Sequence, residues 1–197
     1  MKKLIVLFVC VLSFQAFGQG NGWEWQNPLP QGNRLNDVHV FDSQNAIAFG
    51  NFGTILKTSN GGQTWLAKNS GTTKNLISSY FIDEQTGWAV GDSGKILKTI
   101  NGGILWQVQN SGITGNIRSV QFVDPQIGWA IGGNGTILKT SNGGQVWQTQ
   151  TATTLEPLKL LYFIDAQNGW AMSVFNTILK TTNGDKYGKH NLLQVHH

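Results

Sequence analysis

The chain has 197 residues, a formal net charge of +4 and only 12% charged residues, together with 25 Gly and 8 Trp. This composition is that of a Gly- and Trp-rich globular protein that buries a core, and it excludes an intrinsically disordered chain. Without Lys2 and Lys3, 12 Lys and Arg remain against 10 Asp and Glu. A charge so close to balance predicts no nucleic-acid partner.

The first eighteen residues have the features of a secretory signal. Two Lys precede an apolar run over 4–14, and Ala16 and Gly18 are the small residues that a signal peptidase requires. The run is far shorter than the roughly 20 residues that cross a bilayer, and no later run is longer, so we expect no membrane span. We predict a signal peptide over 1–18 and a secreted or periplasmic protein. Its removal takes away Cys10, the only Cys, so the mature chain can form no disulfide.

Comparison of the chain with itself shows a period of 41 residues. The period relates identical residues in successive segments, among them Trp88, Trp129 and Trp170, Asp42, Asp83, Asp124 and Asp165, and Ala48, Ala89, Ala130 and Ala171. Such regular spacing is typical of one supersecondary unit that is repeated along the chain.

One repeat unit, 76–106 with the residues that follow it, predicts four short β-strands. The segments "LISSYFID", "TGWAVG", "KILKT" and "LWQVQ" are apolar or alternating, and "GDSG" and "NGG" between them are turn sequences. No segment shows an apolar period of 3.6 residues, so we predict an all-β protein. Four antiparallel strands per repeat are typical of a β-propeller blade. We predict about four blades, at 25–65, 66–106, 107–147 and 148–184, with the recurrent Ala near the axis.

The most strongly repeated stretch is a turn followed by Trp. In 58–65, the Asn60 side chain can bond the turn backbone, Gly62 can adopt a strained conformation, and Trp65 can bury its ring across the hairpin. We therefore predict structural roles in turns and packing for Asn60, Gly62, Trp65, Asn101, Gly103, Trp106, Asn142, Gly144, Trp147, Trp88, Trp129 and Trp170.

These motifs resemble the Asp-box of bacterial neuraminidase repeats, with Asn where Asp usually stands. The sequence "GWAVGDSGKILKTINGG" and its equivalents more closely resemble the propeller family of the photosystem II stability and assembly factor, over about 23–184. The resemblance implies a seven-bladed, non-enzymatic chaperone that holds a membrane-protein precursor. Because 185–197 departs from the repeat, we expect the chain to be part of a larger propeller. A closed four-bladed ring and an eight-bladed ring of two chains are the alternatives, and an open arc would favour self-association.

Enzymatic activity finds little support in the residues present. A neuraminidase needs three arginines, whereas the chain has only Arg34 and Arg118. Glycoside hydrolysis needs two suitably spaced carboxyl groups, and the recurrent Asp are better explained as turn caps. His39 lies in a predicted strand and is expected to pack, and the tail histidines lack the ligand frame of a metal site. We predict no catalytic residue, no metal and no cofactor.

A row of lysines recurs at one position of the repeat. It consists of Lys57, Lys98, Lys139 and Lys180. In a propeller these residues would form an arc of positive charge that could meet an acidic peptide or a polysaccharide; alternatively, each stem lies along its sheet with the amine in water. The function predicted is a secreted, non-enzymatic scaffold for an unknown protein partner, and the alternative is a propeller that binds or hydrolyses polysaccharide.

Overall fold

Four antiparallel sheets of four strands follow one another along the chain. The computed structural model describes residues 32–185 and the backbone of 188–191. The predicted signal peptide over 1–18 lies outside the described residues. In every sheet the strands are neighbours in the order in which they occur in the chain, so each sheet is a meander joined by tight turns.

The strands have the following bounds. The first sheet contains β1 Leu35–Val40, β2 Ala46–Gly50, β3 Ile55–Thr58 and β4 Leu66–Lys68. The second contains β5 Leu76–Phe81, β6 Gly87–Gly91, β7 Ile96–Thr99 and β8 Gln107–Gln109. The third contains β9 Ile117–Phe122, β10 Gly128–Gly132, β11 Ile137–Thr140 and β12 Gln148–Gln150. The fourth contains β13 Leu158–Phe163, β14 Gly169–Ser173, β15 Thr177–Thr181 and β16 Gly188–Asn191.

The sheets are arranged radially, with the first strand of each nearest to the axis. Strand β1 contacts β5, β5 contacts β9, and β9 contacts β13. The fourth strands are the outermost, because each pairs only with the third strand of its own sheet. The predicted architecture of four-stranded antiparallel propeller blades is confirmed, and the described residues form four of them. No helix in the described part of the chain is long and apolar enough to cross a bilayer.

The sheets begin and end later in the chain than the predicted blades. They span 35–68, 76–109, 117–150 and 158–191. The shift arises because the short strand that follows Trp65, Trp106 or Trp147 pairs with the third strand of the sheet that precedes that Trp. Leu66, for example, pairs with Lys57. Residues 188–191, in the segment predicted as an aberrant tail, also pair with β15. Main-chain hydrogen bonding requires no particular side chains, so a segment that has lost the repeat motif can still add a strand.

The core lies between the sheets. Three apolar clusters fill the three spaces between neighbouring sheets. In the second space Trp88 stacks on Phe122, with ring centroids 3.4 Å apart and planes 11° apart. In the third space Trp129 stacks on Phe163 at 3.6 Å and 9°. Each sheet is therefore stabilised mainly by its neighbours, and aromatic pairs of this kind contribute about 0.5–1.5 kcal/mol beyond their buried area.

The repeated Ala lie in the second strands, one strand away from the axis. Ala89 packs among Phe49 and Trp106 of the first space, and Ala130 packs beside Trp88 in the second. The small side chain leaves room for the large residues of the preceding sheet, which explains the recurrence of Ala at this position.

The turns between second and third strands depend on glycine. Gly94 has a φ of +67°, and a Cβ at this position would overlap the backbone carbonyl oxygen of Ile113. Gly53 and Gly135 occupy the same position of the repeat and face a carbonyl oxygen in the same way. The "G-x-x-G" sequence is thus required by close backbone approach.

Candidate functional site

The repeated turn is held by its Asn side chain. Asn60 Oδ1 accepts hydrogen bonds from the Thr58 hydroxyl at 3.0 Å and from the Thr64 backbone N–H at 2.9 Å. The Gly62 backbone N–H donates to the Thr58 hydroxyl at 3.0 Å. Asn101 and Asn142 accept equivalent bonds in the next two sheets. Each of these side chains is therefore engaged in hydrogen bonds within its own turn.

The repeated tryptophans occupy two kinds of packing position. Trp106 meets Phe49 edge to face at 5.5 Å, and Trp147 meets Phe122 at 5.9 Å. Trp88 and Trp129 are completely buried between sheets, whereas Trp170 in the fourth sheet is 36% exposed. The same sequence position thus has different surroundings in different sheets.

The recurrent aspartates cap the turn between first and second strands. Asp42 Oδ1 accepts the backbone N–H of Gln44 at 2.6 Å and that of Asn45 at 2.8 Å. Hydrogen bonds from the Asn45 side chain, and then from these two backbone groups, hold the pKa of Asp42 below its usual value. The other three repeat the two backbone contacts, namely Asp83, Asp124 and Asp165. This use as turn caps agrees with the interpretation of the sequence.

The lysine row connects sheets. The Lys57 amine donates to the Gly102 carbonyl at 2.7 Å, and the Lys98 amine donates to the Gly143 carbonyl at 2.9 Å; both acceptors lie in the next sheet. The Lys139 amine forms an ion pair with Asp185 at 2.6 Å. Burial lowers the pKa of Lys98, whose amine also lies 5.1 Å from the centroid of the Trp88 ring. Three of the four candidate binding lysines are therefore engaged between sheets, and Lys180 lies over Trp170 at 5.4 Å.

His39 packs against aromatic rings. Its imidazole lies 4.8 Å from the ring of Phe41 and 4.7 Å from that of Phe81. Burial lowers the pKa of His39, and the nearby carboxylate of Asp37 partly opposes this effect. Within the described residues, no group of three or more His, Cys, Asp or Glu side chains could hold a metal ion. The side chains of the tail histidines lie outside the described residues.

A trough that the sequence interpretation missed crosses the inner strands of all four sheets. Its volume is about 510 Å³, and its lining consists of Asn36, Ile77, Ser78, Asn116, Arg118, Ser119, Lys159 and Leu160. The period of the sequence is visible at positions where identical residues recur, whereas this trough is built around a position that varies. Asn36, Ile77, Arg118 and Lys159 are separated by the period of 41.

A β-bulge places each of these four side chains. The register of β9 with β10 passes from Ile117–Gly132 to Ser119–Ile131 and omits Arg118. The register of β13 with β14 omits Lys159 in the same way, and β1 and β5 omit Asn36 and Ile77. A bulge redirects the side chain of the extra residue and is often found beside functional sites. The inner strands thus present one variable side chain each along the trough.

The trough has a positive end. Arg118 and Lys159 are both exposed, and neither forms an ion pair within residues 32–185. The hydroxyl groups of Ser78 and Ser119 and the amide of Asn116 supply polar groups beside them. This arrangement can bind an anionic group, because an arginine binds a carboxylate through two parallel hydrogen bonds.

A comparison with curated protein sequences found no match. Among solved structures, the chain superposes on YCF48 bound to D1 peptide with a TM-score of 0.67 and 22% identity, covering 86% of this chain and 56% of that chain. YCF48 from Cyanidioschyzon merolae gives a TM-score of 0.67 and 20% identity, covering 85% and 59%. The chain therefore spans little more than half of these relatives.

Propellers of the GH74 class also share the fold. The enzyme from Niastella koreensis superposes with a TM-score of 0.62 and 15% identity, covering 79% of this chain and 30% of that chain. The family model described as photosynthesis system II assembly factor YCF48 matches residues 12–100 and 100–194. Because the two matches together cover most of the sequence, this chain belongs to the YCF48 assembly factor family.

Proposed function

We propose that this chain is a non-enzymatic scaffold that binds an extended acidic segment of a partner protein along the inner-strand trough. The observation that carries the proposal is the placement of Arg118 and Lys159 by two successive bulges, side by side and free of ion pairs within the described residues. Since turn geometry and sheet packing do not use these two cations, their charge is available to a ligand.

The lining of the trough favours a peptide over a small ion. Arg118 suits a carboxylate through its planar guanidinium, whereas Lys159 supplies a compact charge at the equivalent position of the next sheet. Ile77 and Leu160 add apolar surface beside these cations. An extended chain that alternates acidic and apolar side chains would match both kinds of surface. Because the cations are exposed, we expect the binding to weaken as the salt concentration rises.

The family membership supports a peptide ligand. One of the solved relatives is a YCF48 bound to a peptide of D1. This chain has 22% identity to that protein and spans 56% of its length, so the identity of the partner does not transfer with the fold. What transfers to the proposal is the class of ligand, a segment of polypeptide.

The absence of catalysis is part of the same proposal. Asp37 accepts hydrogen bonds from both the backbone N–H and the hydroxyl of Ser79 in the next sheet, and the four recurrent Asp cap turns. These uses leave few carboxyl groups for the acid–base pair of a glycoside hydrolase. The resemblance to GH74 enzymes at 15% identity reflects the fold. Two of the recurrent tryptophans that could otherwise stack on a sugar ring, Trp88 and Trp129, are buried.

Export from the cytoplasm completes the proposal. It is supported by the basic start, the apolar run over 4–14 and the small residues that precede position 19. N-terminal sequencing of the protein recovered from outside the cytoplasm should begin after Gly18. Recovery of the intact Met1 terminus there would contradict cleavage.

The test of the trough is a charge-neutralising double variant, Arg118→Gln with Lys159→Gln. Binding of an array of extended acidic peptides should weaken by about tenfold or more, which is the effect of losing one charge-assisted hydrogen bond. The matched control is Lys68→Gln with Lys74→Gln, which removes the same charge outside the trough. Equal binding by the double variant and the control would contradict the proposal.

A further inference from the structure

An exposed phenylalanine lies in the turn that joins β2 to β3. Phe52 is 68% exposed, and its backbone has a φ of +55° and a ψ of +32°. These angles are in the left-handed region, where the Cβ of an L-residue is crowded and which bulky residues rarely adopt. Phe52 therefore strains the backbone of the turn while its ring gains little burial.

The turn itself does not require an aromatic residue. The equivalent positions of the second and third sheets are Ser93 and Asn134, with φ of +56° and +53°. Both are exposed, although their sheets have a neighbour on either side, so exposure belongs to the turn and not to the place of the first sheet. Asparagine adopts this conformation readily. Strain of this kind is concentrated at ligand-binding and active sites, which favours a contact of Phe52 with another molecule.

The turn that carries Phe52 borders the trough. Asn36 lines the trough, and its side-chain N–H₂ group donates to Asn51 Oδ1, one residue before Phe52, at 3.0 Å. The backbone N–H of Phe52 donates to Asn75 Oδ1 at 3.0 Å. The exposed ring thus belongs to the rim of the trough in the first sheet.

The second sheet repeats this contact and connects it to the lining directly. The backbone N–H of Ser93 donates to Asn116 Oδ1 at 3.1 Å, and Asn116 lines the trough. The turn between second and third strands is therefore on the same end of the sheets as the trough. Arg118 and Lys159 lie in the third and fourth sheets, so Phe52 is on the side of the trough away from the cations.

We propose that Phe52 binds an apolar side chain of the peptide whose acidic side chains lie beside Arg118 and Lys159. This inference rests on the proposed function and adds a second recognition element to it. Packed sheets are about 10 Å apart, and an extended chain advances about 3.3 Å per residue. Since Phe52 is two sheets from Arg118, the apolar residue of the ligand lies no more than roughly six residues from the nearest acidic one.

The two elements of the site differ in what they select. Exposed cations attract an acidic chain over about a Debye length, whatever its direction or register. An apolar contact with a ring requires close approach and a defined geometry. Phe52 thus selects the direction and register of the peptide, which the two cations alone leave undetermined.

The test measures binding of synthetic peptides to the full-length chain by fluorescence anisotropy. Each extended probe contains a pair of Glu residues. In the first probe a Phe follows the pair at a spacing of roughly six residues, in the second the Phe precedes it at the same spacing, and in matched controls Ser replaces the Phe. One of the two Phe probes should bind about two- to tenfold more tightly than its Ser control, the range of one aromatic contact.

A pair of variants at position 52 separates the ring from the fold. Phe52→Asn should abolish the preference for the Phe probe and raise the urea midpoint, because asparagine suits the left-handed backbone. Its binding of the Ser control should not change, since the cations are intact. Phe52→Tyr keeps the ring and should keep both the preference and the midpoint of the unmodified chain. Weaker binding by a more stable protein would exclude damage to the fold as the cause.

The outcomes distinguish this inference from the proposed function. Equal binding of the Phe and Ser probes, with loss of both in the double variant Arg118→Gln with Lys159→Gln, would overturn the inference alone. Failure of every acidic probe to bind, or full binding by the double variant, would overturn the proposed function and the inference with it. A preference for Phe that survives Phe52→Asn would also overturn the inference, because its source would then lie elsewhere in the trough.

Discussion

The indole ring of Trp129 lies flat on the phenyl ring of Phe163 in the next sheet, with centroids 3.6 Å apart and planes 9° apart. The indole N–H of the same residue donates to the Gly184 carbonyl at 3.0 Å. One side chain thus joins two sheets through both its apolar face and its polar edge. The stability of the propeller depends on contacts of this kind, because no described helix or disulfide joins the sheets.

Replacement of Trp129 by Ala should destabilise the protein by about 3–5 kcal/mol, the usual cost of removing a large buried aromatic side chain. The matched control is Trp170→Ala, at the same repeat position but partly exposed, and its cost should be clearly smaller. Urea unfolding at low protein concentration, followed by circular dichroism, measures both. Equal losses would show that stacking on the next sheet contributes little.

The stability of the protein should fall more for Asn101→Ala than for Asn101→Asp. Asn101 Oδ1 accepts hydrogen bonds from the Thr99 hydroxyl and from the Leu105 backbone N–H. Asn101→Ala removes the acceptor and should cost about 1–3 kcal/mol. Asn101→Asp keeps an oxygen at that place and should stay close to the unmodified protein. Thermal melting of the two variants provides the comparison, and equal destabilisation would mean that the amide N–H₂ group carries the role.

The lysine row should contribute to stability wherever a following sheet is present. Lys98→Met removes the bond to the Gly143 carbonyl and leaves that acceptor without its partner, so we expect a loss of about 1–3 kcal/mol. Lys180→Met, which removes no described hydrogen bond, should cost less. Urea unfolding of dilute samples measures the difference. A larger loss for Lys180→Met would contradict the assignment of this row to contacts between sheets.

His39 should make stability fall in mildly acid solution. Burial lowers the pKa of His39 below its ordinary value of 6.5, so the unfolded chain binds the proton more readily than the folded chain. The free energy of unfolding should therefore decrease as the pH falls below about 6.5, until the folded imidazole is also protonated. The variant His39→Gln, with the residue found at the equivalent position 121, should show a weaker dependence.

The measurement is the urea midpoint of the two proteins between about pH 7 and pH 5, a range in which histidine titrates. The difference between the two curves isolates His39 from the tail histidines, which both proteins share. Identical curves would mean that the imidazole remains accessible to water between Phe41 and Phe81.

Much of the architecture could be predicted because a repeated structural unit is encoded by residues that recur at a fixed spacing in the sequence. The spacing of 41 residues, the "NGG" turns and the alternating segments were sufficient for four-stranded blades, and Asp42 and its equivalents were interpreted as turn caps. These features are local, since each depends on residues within one hairpin. Membership of the YCF48 family also follows from the sequence, because the motifs that carry it are continuous in the chain.

The interior contacts between sheets required the tertiary structure. The sequence shows Trp88, Trp129 and Trp170 as equal members of one series, yet only the first two are buried. The sequence by itself allows the lysine row either to form a binding arc or to lie along the sheets, whereas in the structure three of its amines reach acceptors about one repeat farther along the chain. A periodic sequence cannot distinguish a position that faces a neighbour from one that faces solvent, because that difference depends on what lies beside the sheet.

The trough is the clearest example of a feature that the tertiary structure shows and the sequence does not. Arg118 and Lys159 were visible in the sequence as two ordinary charged residues in predicted strands. Only the pairing of β9 with β10 and of β13 with β14 reveals that each is the extra residue of a bulge. Both residues line the trough. The sequence determined which residues recur and hence the repeated blade. The register between strands and the packing of sheets decided which side chains are buried and which remain available to a partner, because both arise from contacts between distant segments.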